Sequence, residues 1–219
     1  MGLTDLALKS ASERFGSIRA KPPLVGPGQR IGLLGGSFNP PHAAHRLITH
    51  TALRRLQLDA VWWVVTPGNP LKSHDELAPL SERLQLCRAM AGADPRIKIT
   101  SFESDLSSAY TAATLVFLTR RFPAVRFVWL MGADNLATFH KWQEWEGIAG
   151  SMPIAVVDRP HWRLKSMASQ AAERFRDAYV PESMARKLPL LAAPAWTFLT
   201  GPLSELSSTA IRAARRCNH

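Results

Sequence analysis

"LLGGSFNPPHAAHRLI", residues 33–48, decides how the rest of the chain is read. An apolar run ends in Gly35 and Gly36; Ser37, Phe38, Asn39 and two prolines follow, and then His42 and His45, three residues apart. That order is what a buried strand, a tight glycine turn with exposed amides and a helix start would require. Asn39 suits the helix N-cap and Pro40 the first helical position. On this reading His42 and His45 project from the first turns of the helix on one face. They stand beside free N–H groups, which attract anions, and an imidazole adds a donor that an anion can protonate. The result is a phosphate site with histidine where a P-loop has lysine. Two other readings of the pair compete: exposed polar residues at a helix start, or metal ligands. Zincin-type ligation needs i, i+4 spacing around a Glu. Here the spacing is i, i+3 with no Cys, Asp or Glu in the turn, so no protein metal site is expected.

Outward from this stretch, short apolar runs alternate with helical patterns. The runs are RIGLLGG, AVWWVVTP, RIKITSF, VRFVWLMG, PIAVVDRP and AWTFLTG; helical stretches are expected at 41–58, 80–93, 109–122, 136–150 and about 163–179, with a last short helix in STAIRAARR. Runs apolar nearly throughout imply strands buried on both faces, and the strand–helix repeat implies a parallel sheet. The expected fold class is α/β, a Rossmann-like parallel sheet with helices on both faces. Ligands of such sheets bind beyond the carboxyl ends of the strands. That rule marks 35–45, 66–72, 103–111, 132–142, 158–162 and 201–212. Residues 1–29, ending in KPPLVGPGQ, read as a basic, flexible N-terminal arm, and 30–219 as a single domain.

The totals exclude several classes. The longest apolar stretches are near AVWWVV in size, far short of the ~20 residues that span a bilayer. The N-terminus has no continuous apolar segment of the signal-peptide kind. Cys87 and Cys217 have no paired spacing, so reduced thiols and a cytoplasmic location are expected. The net charge of +10 suits nucleic acid, anionic membranes or polyanionic small molecules. It is dispersed over short clusters, without the aromatic interleaving of a single-strand platform.

A second motif lies near the C-terminus. LSELSSTAIRAARR (203–216) places Ser207, Ser208 and Thr209 at a helix start with Arg212 in the first turn. Serines there are ordinary caps. The arginine opposes the helix dipole by roughly 0.3–1 kcal/mol, yet it would be a charge-assisted donor to a bound polyphosphate.

The first string resembles the signature G-G-(S/T)-F-D-P-x-H-x-G-H of the H-x-G-H nucleotidyltransferases, and the second their I-S-S-T-x-I-R motif. Asn39 stands for the Asp, Ala44 for the Gly between the histidines, and Leu206 for the Ile. Further segments are similar to those of the bacterial nicotinate mononucleotide adenylyltransferases: AYTAATL (109–115), MGADNLATFHKWQEWEGI (131–148), IAVVDRP (154–160) and, more weakly, TPGNPLKS (66–73), which keeps Lys72. The resemblance covers about 30–216. It implies a fold of the nucleotidyltransferase type. It also implies transfer of the adenylyl group of ATP to nicotinate mononucleotide, giving nicotinate adenine dinucleotide and pyrophosphate in NAD biosynthesis, with Mg²⁺ carried on ATP.

The same resemblance assigns roles. His42, His45 and Arg212 are the catalytic set. Gly35, Gly36, Ser37 and Phe38 form the ATP loop, and Ser207, Ser208, Thr209 and Arg212 hold the β- and γ-phosphates. Asp134 accepts from ribose hydroxyls, or is a plain helix N-cap. Trp142 stacks on the pyridine, with Tyr110 and Thr111 lining that pocket; packing into the core is the other reading of Trp142. Trp62, Trp63 and Trp145 belong to the core. Lys72 and Arg159 face the mononucleotide, or are surface charges. Neither nucleic acid nor membrane is an expected partner, and the sequence leaves monomer against homo-oligomer open. The alternatives are an adenylyltransferase preferring nicotinamide mononucleotide and, from another class, a basic nucleic-acid-binding protein.

Overall fold

The computed structural model describes residues 20–68, 77–106, 110–204, 206, 208, 211 and 212. Six strands form one parallel sheet in the order β3-β2-β1-β4-β5-β6. They are β1 (Arg30–Gly36), β2 (Ala60–Val65), β3 (Ile97–Thr100), β4 (Arg126–Gly132), β5 (Ile154–Val157) and β6 (Trp196–Leu199). Each of the six apolar runs forms its strand. Side chains alternate across the sheet, so neighbours such as Trp62 and Trp63 enter different cores, and both are buried.

On one face, α1 (Ala43–Arg55) and α2 (Leu80–Ala91) pack Ile48, Ala52, Leu53 and Cys87 against Trp63, Val65 and Leu130. On the other, α3 (Thr111–Arg121), α4 (Ala133–Thr138), α5 (Trp145–Ser151) and α7 (Gln170–Arg174) pack Leu115, Leu136, Ile148 and Ala171 against Leu33, Trp62 and Trp129. A five-residue α6 (Arg163–Met167) precedes α7. Burial pushes the Cys87 thiol up to about 12, against the opposing charges of Arg83 and Arg88. No helix among the described residues is long and apolar enough to cross a membrane.

Two local expectations are corrected. The stretch 136–150 is not one helix: Phe139–Lys141 tightens into a 3-10 turn, and Glu144 takes a left-handed conformation (φ 54°) before α5. The stretch 163–179 breaks likewise into α6, α7 and a 3-10 turn at Arg176–Ala178. A 3-10 segment at Glu182–Leu190, unmarked in the sequence reading, buries Ala185 and Leu188 under the second core. Of the expected arm, residues 20–29 lie against the domain. Ala20 and Val25 pack on the core, and the Gly28 N–H donates to the Ala124 carbonyl at 2.7 Å. Residues 1–19 lie outside the described residues, as do Cys217 and most of the final helix.

The strand order reverses between β1 and β4, and the switch point therefore lies beyond Gly36 and Gly132. Gly35 and Gly36 are strand residues rather than the turn; the turn comes at Ser37 and Phe38. Gly35 is required for another reason: a Cβ there would overlap the Trp129 ring on the neighbouring strand. Gly35→Ala should therefore destabilise the fold by about 1–3 kcal/mol through overpacking, lowering the melting temperature by several degrees. A melting temperature equal to that of the parent would mean that Trp129 turns aside freely.

Candidate active site

The loop leaving β1 is built around Phe38. Its backbone is left-handed (φ 47°), an unfavourable conformation for a phenylalanine, and its buried ring supplies the compensation. That ring stacks on Trp63 at 5.2 Å and lies 4.6 Å from the His45 ring. The Trp63 indole N–H donates to Thr49 Oγ1 at 2.8 Å, and the Thr49 hydroxyl donates to the His45 carbonyl at 2.8 Å.

The helix begins three residues later than the spacing predicts. His42, not Asn39, is the N-cap of α1, and Pro40 lies in the loop before it. Asn39 serves a different purpose: its side-chain oxygen accepts the Ala78 N–H at 3.3 Å. His45 occupies the third helical position, where its Nδ1 accepts the His42 backbone N–H at 3.1 Å. This bond leaves the proton on Nε2, so His45 presents a donor on that nitrogen. The two imidazoles are 3.9 Å apart. The buried His42 Nδ1 has no partner among the described residues.

Both histidines are neutral in the unliganded protein. Burial, then the Arg159 charge, lowers His42 to about 4 against the opposing pull of Asp134. Burial, then His42 and Arg159, lowers His45 to about 3. The unfolded chain, with ordinary imidazoles near ~6.5, therefore takes up protons before the folded one. Stability from this pair is complete above pH ~6.5 and declines as pH falls from there toward the folded values. The melting temperature should drop between pH 7 and 4.5, and a His42→Asn/His45→Asn variant should flatten that slope. Equal slopes would mean that the imidazoles protonate freely in the fold.

Across the switch point, Asp134 and Arg159 form an ion pair at 3.0 Å. Gly132 makes room for it, since a Cβ there would lie 2.9 Å from the Arg159 Cδ and closer still to Asp134. Asp134 is not the helix cap; that position belongs to Gly132. One Asp134 oxygen, Oδ1, is buried with no partner among the described residues. Arg159 also donates to the Leu206 carbonyl at 2.6 Å.

The C-terminal motif leans directly on the first. Ser208 Oγ donates to the Pro40 carbonyl at 2.9 Å, and Arg212 Nη1 to the Asn39 carbonyl at 2.6 Å. Residues 168 and 173 positions apart thus meet at the β1 loop. Ser207, Thr209 and Lys72 lie outside the described residues.

Tyr110 is the N-cap of α3 and Thr111 its first residue. One turn on, Thr114 Oγ1 donates to Glu103 Oε1 at 2.6 Å. Glu103 is buried, and burial raises its carboxyl against hydrogen bonds from Thr114 and Thr66. Trp142 is half-buried, edge-on to Phe139 at 5.5 Å; Trp145 is likewise half-buried against the core. Sequence reasoning missed Glu103 and the buried Arg83 as individual residues. The strand-end rule did mark Glu103's segment, whereas nothing near Arg83 distinguishes it from the surface arginines of other helices. A groove of about 610 Å³ on the outer face of α1, lined by Arg46, His50, Arg54 and Arg96, holds none of the predicted site residues.

The cytidylyltransferase-like family model matches residues 33–214. The "Probable nicotinate-nucleotide adenylyltransferase" of Methylorubrum extorquens (strain PA1) is 56% identical over 183 residues, covering 84% of this chain and 98% of that protein. The protein of the same name from Rhizobium johnstonii is 56% identical over 185 residues, covering 84% and 92%. Among solved structures, Plasmodium falciparum nicotinic acid mononucleotide adenylyltransferase complexed with NaAD superposes with a TM-score of 0.64 at 18% identity, over 84% of this chain and 83% of that one. At that identity the likeness is one of fold.

Proposed function

The chain belongs to the cytidylyltransferase-like family and, within it, to the nicotinate-nucleotide adenylyltransferases, and on that premise we propose how its site works. It is an enzyme that transfers the adenylyl group of ATP to nicotinate mononucleotide, giving nicotinate adenine dinucleotide and pyrophosphate in NAD biosynthesis. The observation that carries the assignment of residues is the meeting of two anion-facing motifs at one switch point. His42 and His45 stand on one side, Ser208 and Arg212 on the other.

A phosphate oxygen of the mononucleotide forms a bond to the α-phosphorus of ATP. The bond from that phosphorus to the bridging oxygen breaks, and its electron pair leaves with pyrophosphate. A phosphate monoester with second pKa near ~6 is already largely dianionic at neutral pH, so no general base is needed. What remains is positioning and stabilisation of the developing charge. Gly36, Ser37 and Phe38 supply the loop, with Gly35 behind it. His45, with its proton on Nε2, donates to the bridging oxygen, and His42 assists. The polyanion offsets the burial that keeps both rings neutral. Ser207, Ser208, Thr209 and Arg212 hold the β- and γ-phosphates. A divalent ion, which we take to be Mg²⁺, arrives with the triphosphate and asks few ligands of the protein.

Asp134 keeps one carboxylate oxygen for a ribose hydroxyl while Arg159 holds the other. Arg159, whose charge reaches His42, is the first cation assigned to the mononucleotide, and Lys72 is the second. Tyr110 and Thr111 line the pyridine pocket, Trp142 stacks on the ring, and the amides opening α3 favour a carboxylate over an amide. Residues 30–219 act as one unit, and the reaction is placed in the cytoplasm.

The test is pyrophosphate release with ATP and Mg²⁺, comparing nicotinate mononucleotide, nicotinamide mononucleotide and phosphopantetheine. Strong preference for the first is the expected result. Release with none of them, together with salt-dependent binding to any duplex, would move the protein to the nucleic-acid-binding class.

A further inference from the structure

Arg83, on the first turn of α2, is 1% exposed. None of the bonds its guanidinium makes among the described residues goes to a carboxylate. Nε donates to the Ala78 carbonyl at 2.8 Å, Nη1 to the Ser37 and Thr66 carbonyls at 2.8 Å each, and Nη2 to the Pro67 carbonyl at 3.0 Å. Burying a cation without a counter-charge is costly. The position is worth that cost only if the charge or its fork of donors is used.

The acceptors show how. Ser37 is in the loop beyond β1, Thr66 and Pro67 follow β2, and Ala78 leads into α2. Arg83 thus ties together segments that converge on one rim of the sheet. The bond to Ser37 has the sharpest consequence. In a trans planar peptide the carbonyl and the following N–H point in opposite directions. The hold on the Ser37 carbonyl therefore turns the Phe38 N–H away from Arg83, in the residue whose backbone is left-handed. A lysine would keep the charge, but its single ammonium cannot span acceptors that the planar fork reaches together.

We propose that Arg83 is a positioning residue for the adenylyl transfer: it orients the Ser37–Phe38 peptide toward the triphosphate and adds, behind that loop, a positive charge with no carboxylate partner among the described residues. It touches neither substrate. The proposal rests on the reading of the β1 loop as the ATP site.

The experiment uses the full chain and the Arg83→Lys variant, with folding checked by melting temperature and near-UV circular dichroism. ATP·Mg²⁺ affinity is measured by titration calorimetry, and steady-state kinetics are run with ATP and nicotinate mononucleotide. Expected are ATP binding and kcat each reduced about tenfold or more, with KM for the mononucleotide within about twofold of the parent. A folded variant with ATP affinity and kcat within about twofold of the parent overturns the proposal. So does a parallel weakening of both substrates that tracks lost stability. In the parent chain, NMR-detected hydrogen exchange at the Phe38 amide should slow on adding ATP·Mg²⁺; unchanged exchange overturns the proposal without recourse to any variant. If the parent binds ATP but never turns over nicotinate mononucleotide, the substrate assignment fails, and the ATP titration and the amide exchange still decide Arg83.

Discussion

His45→Ala lowers turnover by about 10²–10³-fold, the cost of removing one preorganised donor to developing charge, while the chain stays folded. The expectation comes from how the imidazole is held. Its Nδ1 is occupied by the His42 backbone N–H, and Phe38 packs against the ring. The donor nitrogen is therefore fixed in both tautomer and direction before ATP arrives, and no reorganisation is needed during the reaction. Alanine is a good helix former in this position, so the loss falls on chemistry more than on stability. Single-turnover rates at saturating ATP, beside the melting temperature, separate the two. Turnover within a few-fold of the parent would remove His45 from the mechanism and leave the β1 loop as a binding element only.

Arg212→Ala comes next in size. A hydrogen bond to a charged group contributes about 1.5–3 kcal/mol, so kcat/KM for ATP should fall roughly 10–150-fold. The affinity for the mononucleotide should stay close to that of the parent. Arg212 has a second function that the sequence does not disclose: it donates to the Asn39 carbonyl and so closes the C-terminal segment onto the loop before His42. Arg212→Lys should therefore recover only part of the loss, since one ammonium cannot hold the loop carbonyl and a phosphate in the same planar geometry. Steady-state kinetics with ATP varied at saturating mononucleotide is the measurement. An unchanged dependence on ATP would leave Arg212 as a structural clasp alone.

These two residues differ in how far the sequence could specify them. His45 was legible as a donor because a strand, a turn and an i, i+3 pair stand within sixteen residues. Its tautomer was not, because that depends on where the helix starts. Asn39 and Pro40 are good local candidates for cap and first position, yet α1 begins at Ala43. Tertiary demands won here: the Asn39 side chain is drawn to Ala78 and its carbonyl to Arg212. The same competition explains the break at 142–144, where Trp142 and Trp145 both turn toward Phe139 and the chain accepts a left-handed Glu144.

Glycines show the division at closer range. Two in succession at 35 and 36 suggested a turn, and local propensity supports that. The sheet makes them strand residues, because Trp129 of β4 lies across Gly35 and leaves no space for a Cβ. Gly132 is spared a side chain for a comparable reason, the Asp134–Arg159 pair lying over it.

The sequence by itself determined what depends on near neighbours in the chain: six strands, from runs too apolar to face water, their parallel order of connection, and two phosphate-type motifs. Only the tertiary structure decided what depends on residues far apart. It brought Ser208 and Arg212 onto the β1 loop and set Arg159 beside His42. It buried Arg83 among carbonyls and lowered both imidazoles to neutrality. Periodicity and propensity are properties of a segment. Burial, charge proximity and the direction of a held proton are properties of the space around it, and that space is made by other segments of the chain.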